Sequence, residues 1–187
     1  MRPSVEVLAN VFLVGPMGVG KTSVGRQLAK FLGKQFVDSD REIEARAGAA
    51  VSLLFELEGE PGFRLREQST IDELTRREGI VLATGGGAIL VRENRIRLAN
   101  RGIVIYLYAP IERLIQRTSG DRNRPLLQTA DPRGRLEKIV KEREPFYRQV
   151  ADMVVSADGK SPRHVANHIL KRIEDMSNPG RSGVNRL

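Results

Sequence analysis

"GPMGVGKT", Gly15–Thr22, is the stretch whose reading decides the fold. Two glycines separated by four residues are followed at once by Lys21 and Thr22, the pattern of a phosphate-binding loop. The glycines let the backbone curl until successive amides point at phosphate oxygens, and the helix that follows adds the positive potential of its N-terminus. In that arrangement Lys21 reaches the β- and γ-phosphates and Thr22 ligates Mg²⁺. A glycine-rich turn that merely joins two elements is the competing reading. From residue frequencies a chance match in a chain of this length is on the order of one in a hundred or less. The flanks lower that further: "NVFLV" (Asn10–Val14) is a short apolar run that ends at Gly15. Beyond the loop, Val24, Leu28, Phe31 and Leu32 fall at i, i+4, i+7 and i+8, which predicts a helix over Lys21–Leu32.

The same alternation continues outward. "KQFVDSD" reads as a second strand ending at Asp38, "GIVLATGGG" as a third running into Gly85, Gly86 and Gly87, "GIVIYLY" as a fourth and "DMVVS" as a fifth. Helices are predicted at Arg41–Ala47, Ser52–Glu58, Pro61–Glu78, Arg92–Asn100, from Pro110, at Arg135–Val150 and from Pro162 to Ile173. Strands alternating with helices imply an α/β fold with a five-stranded parallel sheet covered on both faces. The polar, arginine-rich stretch 119–134, "SGDRNRPLLQTADPRG", is too long for an ordinary connection and reads as a mobile lid. One domain spanning 1–175 is expected, with a tail over 176–187 that has no apolar period and is read as disordered.

Composition narrows the class without deciding it. The 187 residues include no cysteine, so neither a disulfide framework nor a thiolate metal site is available. No apolar run is long enough for a signal peptide or a membrane span, so a soluble, cytoplasmic protein without membrane contact is expected. The balance of 31 Lys+Arg against 23 Asp+Glu, +8 in all, suits a nucleic-acid face or a small anionic substrate equally well. The arginines are scattered and aromatics amount to 5%, so no nucleic-acid partner is expected.

Two further positions invite a ligand. Asp38 and Asp40 sit where the second strand ends, and ligands of open α/β sheets gather at the carboxyl ends of strands. One carboxylate can face a metal and the other an acceptor hydroxyl; equally, one or both can cap the following helix. Three consecutive glycines at 85–87 expose backbone to close approach. Arg64, Arg124 and Arg148 do not stand out from the other arginines on composition.

Taken together, "FLVGPMGVGKTSVGRQLA", "FVDSDREIE", "EGEPGFRLRE", "VLATGGGA", "RPLL" and "EREPFYRQVAD" resemble, in order and spacing, the shikimate kinases. The resemblance runs from about Val11 to Lys171. It implies a P-loop kinase fold with a small acceptor-binding helical segment at about 41–67. The implied activity is transfer of the γ-phosphate of ATP to the 3-hydroxyl of shikimate, giving shikimate 3-phosphate and ADP in the pathway to chorismate and the aromatic amino acids. The family pattern implies that Gly18, Val19, Gly20, Lys21, Thr22 and Ser23 bind ATP, with Arg117 and Lys160 at the adenine and Arg124 approaching the phosphates from the lid. It implies that Asp38 joins Thr22 on the metal side, usually through water. Asp40, Arg64, Gly86 and Arg148 are the implied shikimate contacts, the two arginines gripping the carboxylate. Lys21, Asp40 and Arg124 are the implied catalytic set, Mg²⁺ the cofactor, and the monomer the usual state. One departure concerns P-loop enzymes in general: no strand ends in the usual Walker-B aspartate, which leaves Asp38 as the main metal-side carboxylate. A kinase of another acceptor, such as gluconate or a nucleoside monophosphate, is the alternative. A GTPase switch is disfavoured because no Asn/Thr-Lys-x-Asp guanine reader is present.

Overall fold

The computed structural model describes residues 9–118 and 129–177. Five parallel strands form one sheet in the order β2-β3-β1-β4-β5. They are β1 (Asn10–Val14), β2 (Gln35–Asp38), β3 (Ile80–Ala83), β4 (Gly102–Tyr108) and β5 (Met153–Ser156). The helices are α1 (Lys21–Leu32), α2 (Ser39–Ala47), α3 (Val51–Leu74), α4 (Arg92–Arg101), α5 (Ile111–Thr118), α6 (Pro132–Val150) and α7 (Pro162–Ser177).

The period of two along each strand divides the core into two layers. Val11 and Leu13 of β1 pack with Val81, Ile105 and Leu107 beneath α1, α5 and α7. Phe12 and Val14 pack on the opposite face with Leu82, Val104 and Tyr106, beneath α3, α4 and α6. β1 and β3 are buried along their whole length, as the central strands of a doubly covered parallel sheet must be. Register brings the working ends level: Leu13 and Asp38 both pair with Ala83, so β1, β3 and β2 finish side by side.

Local signals set the boundaries. α1 ends at Gly33, whose left-handed φ of 64° lets its amide return to the Ala29 carbonyl. α2 starts at Ser39, two residues earlier than predicted, because the Asp38 side chain accepts from the amides of Asp40 and Arg41. The two helices expected over 52–58 and 61–78 form one run, α3, broken at Gly59 with φ 69° and ψ 177°. Pro61 then serves as a first-turn residue of the second half, where its missing amide costs nothing. That half ends at Leu74 rather than Glu78. Above the bend, Ile43, Leu54 and Phe63 make a small core of their own between α2 and α3.

Of the stretch read as a lid, residues 119–128 lie outside the described residues. Its last part is helical: Asp131 caps α6 by accepting from the Gly134 amide at 2.9 Å, and Pro132 opens the first turn. Likewise 176 and 177 belong to α7, not to the tail, whose remainder lies outside the described residues.

Candidate active site

The phosphate loop leaves β1 at Gly15 and turns through Gly18 and Gly20, at φ 77° and 102°, conformations open to glycine. Lys21 folds back over this turn and donates to the carbonyls of Gly15 (2.8 Å) and Pro16 (2.9 Å). Arg117, at the end of α5, donates to the carbonyls of Gly18 and Val19 at 3.3 and 3.1 Å, so it also braces the loop. A cavity of about 510 Å³ opens over the loop. It is lined by residues 17–24, by Asp38, Asp40, Thr84 and Gly86, by Arg117, and on the far wall by Ala157, Lys160, Pro162 and Val165. Gly18, Val19, Gly20, Lys21, Thr22, Ser23, Arg117 and Lys160 therefore share one cavity. Arg124 lies outside the described residues.

Asp38 does cap the following helix. Besides capping α2, its Oδ2 accepts a 2.9 Å hydrogen bond from the Thr22 hydroxyl. Two hard oxygen donors at the lip of a phosphate loop suit Mg²⁺, which keeps several waters and binds through one or two protein groups plus phosphate oxygens. Among the described residues no cluster of three or more His, Asp or Glu competes as a metal site.

Asp40 stands one residue into α2, with its carboxyl enclosed although part of the residue reaches the surface. Burial, then the neighbouring Glu67 and Asp38 carboxylates, push its pKa up to about 7 against the pull of Lys21 and Arg64. Those charges come from both sides of the site, Lys21 from the phosphate loop and Arg64 from α3. A Cβ on Gly85 would lie 2.6 Å from Asp40 Oδ1 and 2.7 Å from Glu67 Oε1, so the two carboxylates converge where only glycine leaves room.

Arg64 is largely enclosed. Its guanidinium pairs with Glu67 at 2.6 Å and Glu60 at 2.8 Å, and it lies over the rings of Phe55 and Phe63. It also crowds Gly87, so the glycine turn, Asp40 and Arg64 form one neighbourhood. Arg148 is held differently. It occupies the last turn of α6, pairs with Glu144 at 2.8 Å and stacks over Tyr106, with its side chain 54% exposed. The structure thus brings Arg64 to Asp40 but sets Arg148 against Glu144, one helical turn back, rather than against Arg64. Neither arginine lines the phosphate cavity.

Sequence reading passed over three buried polar residues here. Glu67 is fully buried and carries an Oε1 with no hydrogen-bond partner. Its pKa is raised by burial and drawn back by Arg64. Arg143, 6% exposed, lies in the field of Glu67. Tyr147, 1% exposed, donates its hydroxyl to the Gly86 carbonyl. The available signal was spacing: Ile139, Arg143 and Tyr147 recur every four residues on the inner face of α6.

A phosphate loop, an oxygen pair for a divalent cation and an enclosed carboxylate beside a guanidinium together define a nucleotide-dependent phosphotransferase with a small acceptor. Comparison with known proteins carries this further. The family model described as shikimate kinase matches residues 17–174. The shikimate kinase of Nitrosococcus oceani is 55% identical over 164 residues, covering 88% of this chain and 86% of that protein. That of Halorhodospira halophila is 52% identical, covering 89% and 94%. Among solved structures, the shikimate kinase of Acinetobacter baumannii in complex with shikimate superposes with a TM-score of 0.90 at 50% identity, covering 94% of this chain and 97% of its own. The chain belongs to the shikimate kinase family.

Proposed function

We propose that the protein phosphorylates the 3-hydroxyl of shikimate with ATP, releasing shikimate 3-phosphate and ADP, and that its residues act as follows. The amides of the Gly15–Thr22 turn and the N-terminus of α1 cradle the triphosphate, and Lys21 swings from its loop carbonyls to the β- and γ-phosphates. Thr22 and Asp38 would hold Mg²⁺, which would neutralise charge on the triphosphate. Arg117 and Lys160 flank the adenine, and Arg124 completes the phosphate contacts. Arg64 and Arg148 grip the shikimate carboxylate, a planar group that a guanidinium fork matches and an ammonium does not. For Arg148 this means exchanging the Glu144 carboxylate for that of the acceptor.

Asp40 accepts the hydrogen bond of the attacking hydroxyl and fixes which alcohol faces the γ-phosphorus. As the hydroxyl oxygen bonds to phosphorus, the bond from phosphorus to the β–γ bridging oxygen breaks, and ADP leaves with that electron pair. The hydroxyl proton passes to Asp40, whose raised proton affinity suits the role. A loose transition state asks for little of this transfer early on, so orientation is the larger part of the residue's work.

The observation that carries the reading is the position of Asp40, under the charges of Lys21 on the nucleotide side and Arg64 on the acceptor side at once. We read the enzyme as a monomer, since one chain supplies both sides. We place it in the cytoplasm, where ATP and Mg²⁺ are maintained; no helix among the described residues is long and apolar enough to cross a membrane. The test is ADP release measured side by side with shikimate, gluconate and nucleoside monophosphates. Release with shikimate alone is expected. Release with gluconate and not with shikimate would overturn the assignment.

A further inference from the structure

The glycine turn at 85–87 is squeezed between two elements. On one side a Cβ at Gly86 would come within 3.4 Å of the Met17 amide nitrogen and 3.5 Å of the Gly15 carbonyl oxygen, so the turn rests on the phosphate loop. On the other, the Tyr147 hydroxyl donates to the Gly86 carbonyl from α6. Three consecutive glycines have the widest backbone freedom of any tripeptide and no side chain to anchor them. Such a turn keeps one shape only where something outside it does the holding.

Tyr147 is built for that. Its ring is buried and stacks on Tyr106 with centroids 5.0 Å apart and planes 17° apart. Burial pushes its phenol above the usual range, so the hydroxyl stays a donor throughout the working pH range. Arg143, one turn earlier, lies in its electrostatic field and in that of Glu67. Tyr106 in turn carries the Arg148 guanidinium, 5.8 Å from its ring centre. One side chain therefore links the Gly86 backbone to the mount beneath Arg148.

We propose that Tyr147 is a positioning residue of the acceptor site. Its hydroxyl orients the Gly86–Gly87 peptide against which the acceptor ring lies, and its stack with Tyr106 sets the base from which Arg148 reaches the carboxylate. The inference rests on the shikimate reading above and deepens it; Tyr147 touches no reacting atom and acts through Gly86.

The test is Tyr147→Phe, which removes one oxygen and keeps the ring and its stack. Loss of the donor to this part-buried carbonyl is expected to raise the KM for shikimate by about tenfold while the KM for ATP changes by less than about twofold. The shape of the pH profile is expected to stay the same, because the phenol does not titrate in that range. Thr75→Val is the control: it removes a hydroxyl equally buried, bonded to the Ile71 carbonyl at 2.8 Å, far from the turn. It is expected to lower the melting temperature and move neither KM. If Tyr147→Phe behaves like that control, the residue merely packs and the proposal falls. A second readout does not depend on the acceptor: amide exchange over residues 84–88 of the ligand-free protein. Exchange about tenfold faster in Tyr147→Phe is expected from loss of the bond, and unchanged exchange overturns the proposal even where shikimate proves not to be the substrate.

Discussion

The Thr22 hydroxyl donates to the Asp38 carboxylate across 2.9 Å, tying the first turn of α1 to the end of β2. The same carboxylate caps α2, so one side chain serves a helix and, in the proposed function, the metal side of the site. Asp38→Asn separates the two roles. Asparagine caps nearly as well as aspartate, so the stability change is expected to stay below about 1 kcal/mol. Turnover is expected to fall by about 10²-fold or more, with a higher Mg²⁺ requirement, as measured by Mg²⁺ titration of the rate. Native turnover would leave Asp38 as a cap and nothing more.

Arg64→Lys keeps the charge but loses the fork that meets Glu60 and Glu67. The expected result is a fall of about 10²-fold in kcat/KM for shikimate with ATP affinity nearly intact, read from separate titrations of the two substrates. An equal loss on both sides would move Arg64 out of the acceptor site.

Lys21→Ala removes the ammonium that now caps the Gly15 and Pro16 carbonyls. At saturating ATP, turnover is expected to drop by about 10²–10³-fold, because the missing charge acts on the moving phosphoryl group. Single-turnover measurements isolate that step. A normal rate combined with a lowered melting temperature would confine Lys21 to shaping the loop.

Asp40 gives the site a pH dependence whose sign follows from its raised pKa of about 7 against an ordinary 3.8. Between about pH 4 and 7 the folded protein keeps a proton that the unfolded chain has released, so this contribution to stability is full at acid pH and lost as pH rises through the window. Thermal melts of the ligand-free protein, compared with Asp40→Asn across that range, are expected to show the extra downward slope in the native protein alone. Activity runs the opposite way: kcat/KM for shikimate is expected to rise with an apparent pKa near 7, since the acceptor contact needs the carboxylate. A flat profile would remove Asp40 from the proton's path.

Much of the fold was readable because local and long-range signals agree. The 3.6-residue period over Lys21–Leu32 gives the bounds of α1, and the apolar run from Gly102 to Tyr108 is β4. The region around α3 was harder. Glu58 and Pro61 read as the end and the beginning of separate helices, and a single left-handed glycine at 59 bends one run instead. In the site, residue type located the phosphate loop and the Asp38/Asp40 pair, since that chemistry is written in consecutive residues. It did not show that Arg148 would pair within its own helix, nor that Glu67, Arg143 and Tyr147 would be buried together. Those facts depend on which face of α3 and α6 meets the glycine turn, and a charged residue at an inward helical position looks like any surface charge until the partner surface is known.

The level finish of β1, β3 and β2 works as a ruler. Leu13, Ala83 and Asp38 lie in one row, so the root of the phosphate loop and the Asp38 carboxylate are set apart by two strand separations of about 4.8 Å each, held by a ladder of backbone hydrogen bonds. In the proposed function, the gap across which the phosphoryl group travels is thereby built into the hydrogen-bonded sheet. Selectivity for the acceptor, in the proposed function, resides in the bent helix pair above it. New acceptors could thus be sought by altering α2 and α3 without disturbing the span over which transfer takes place.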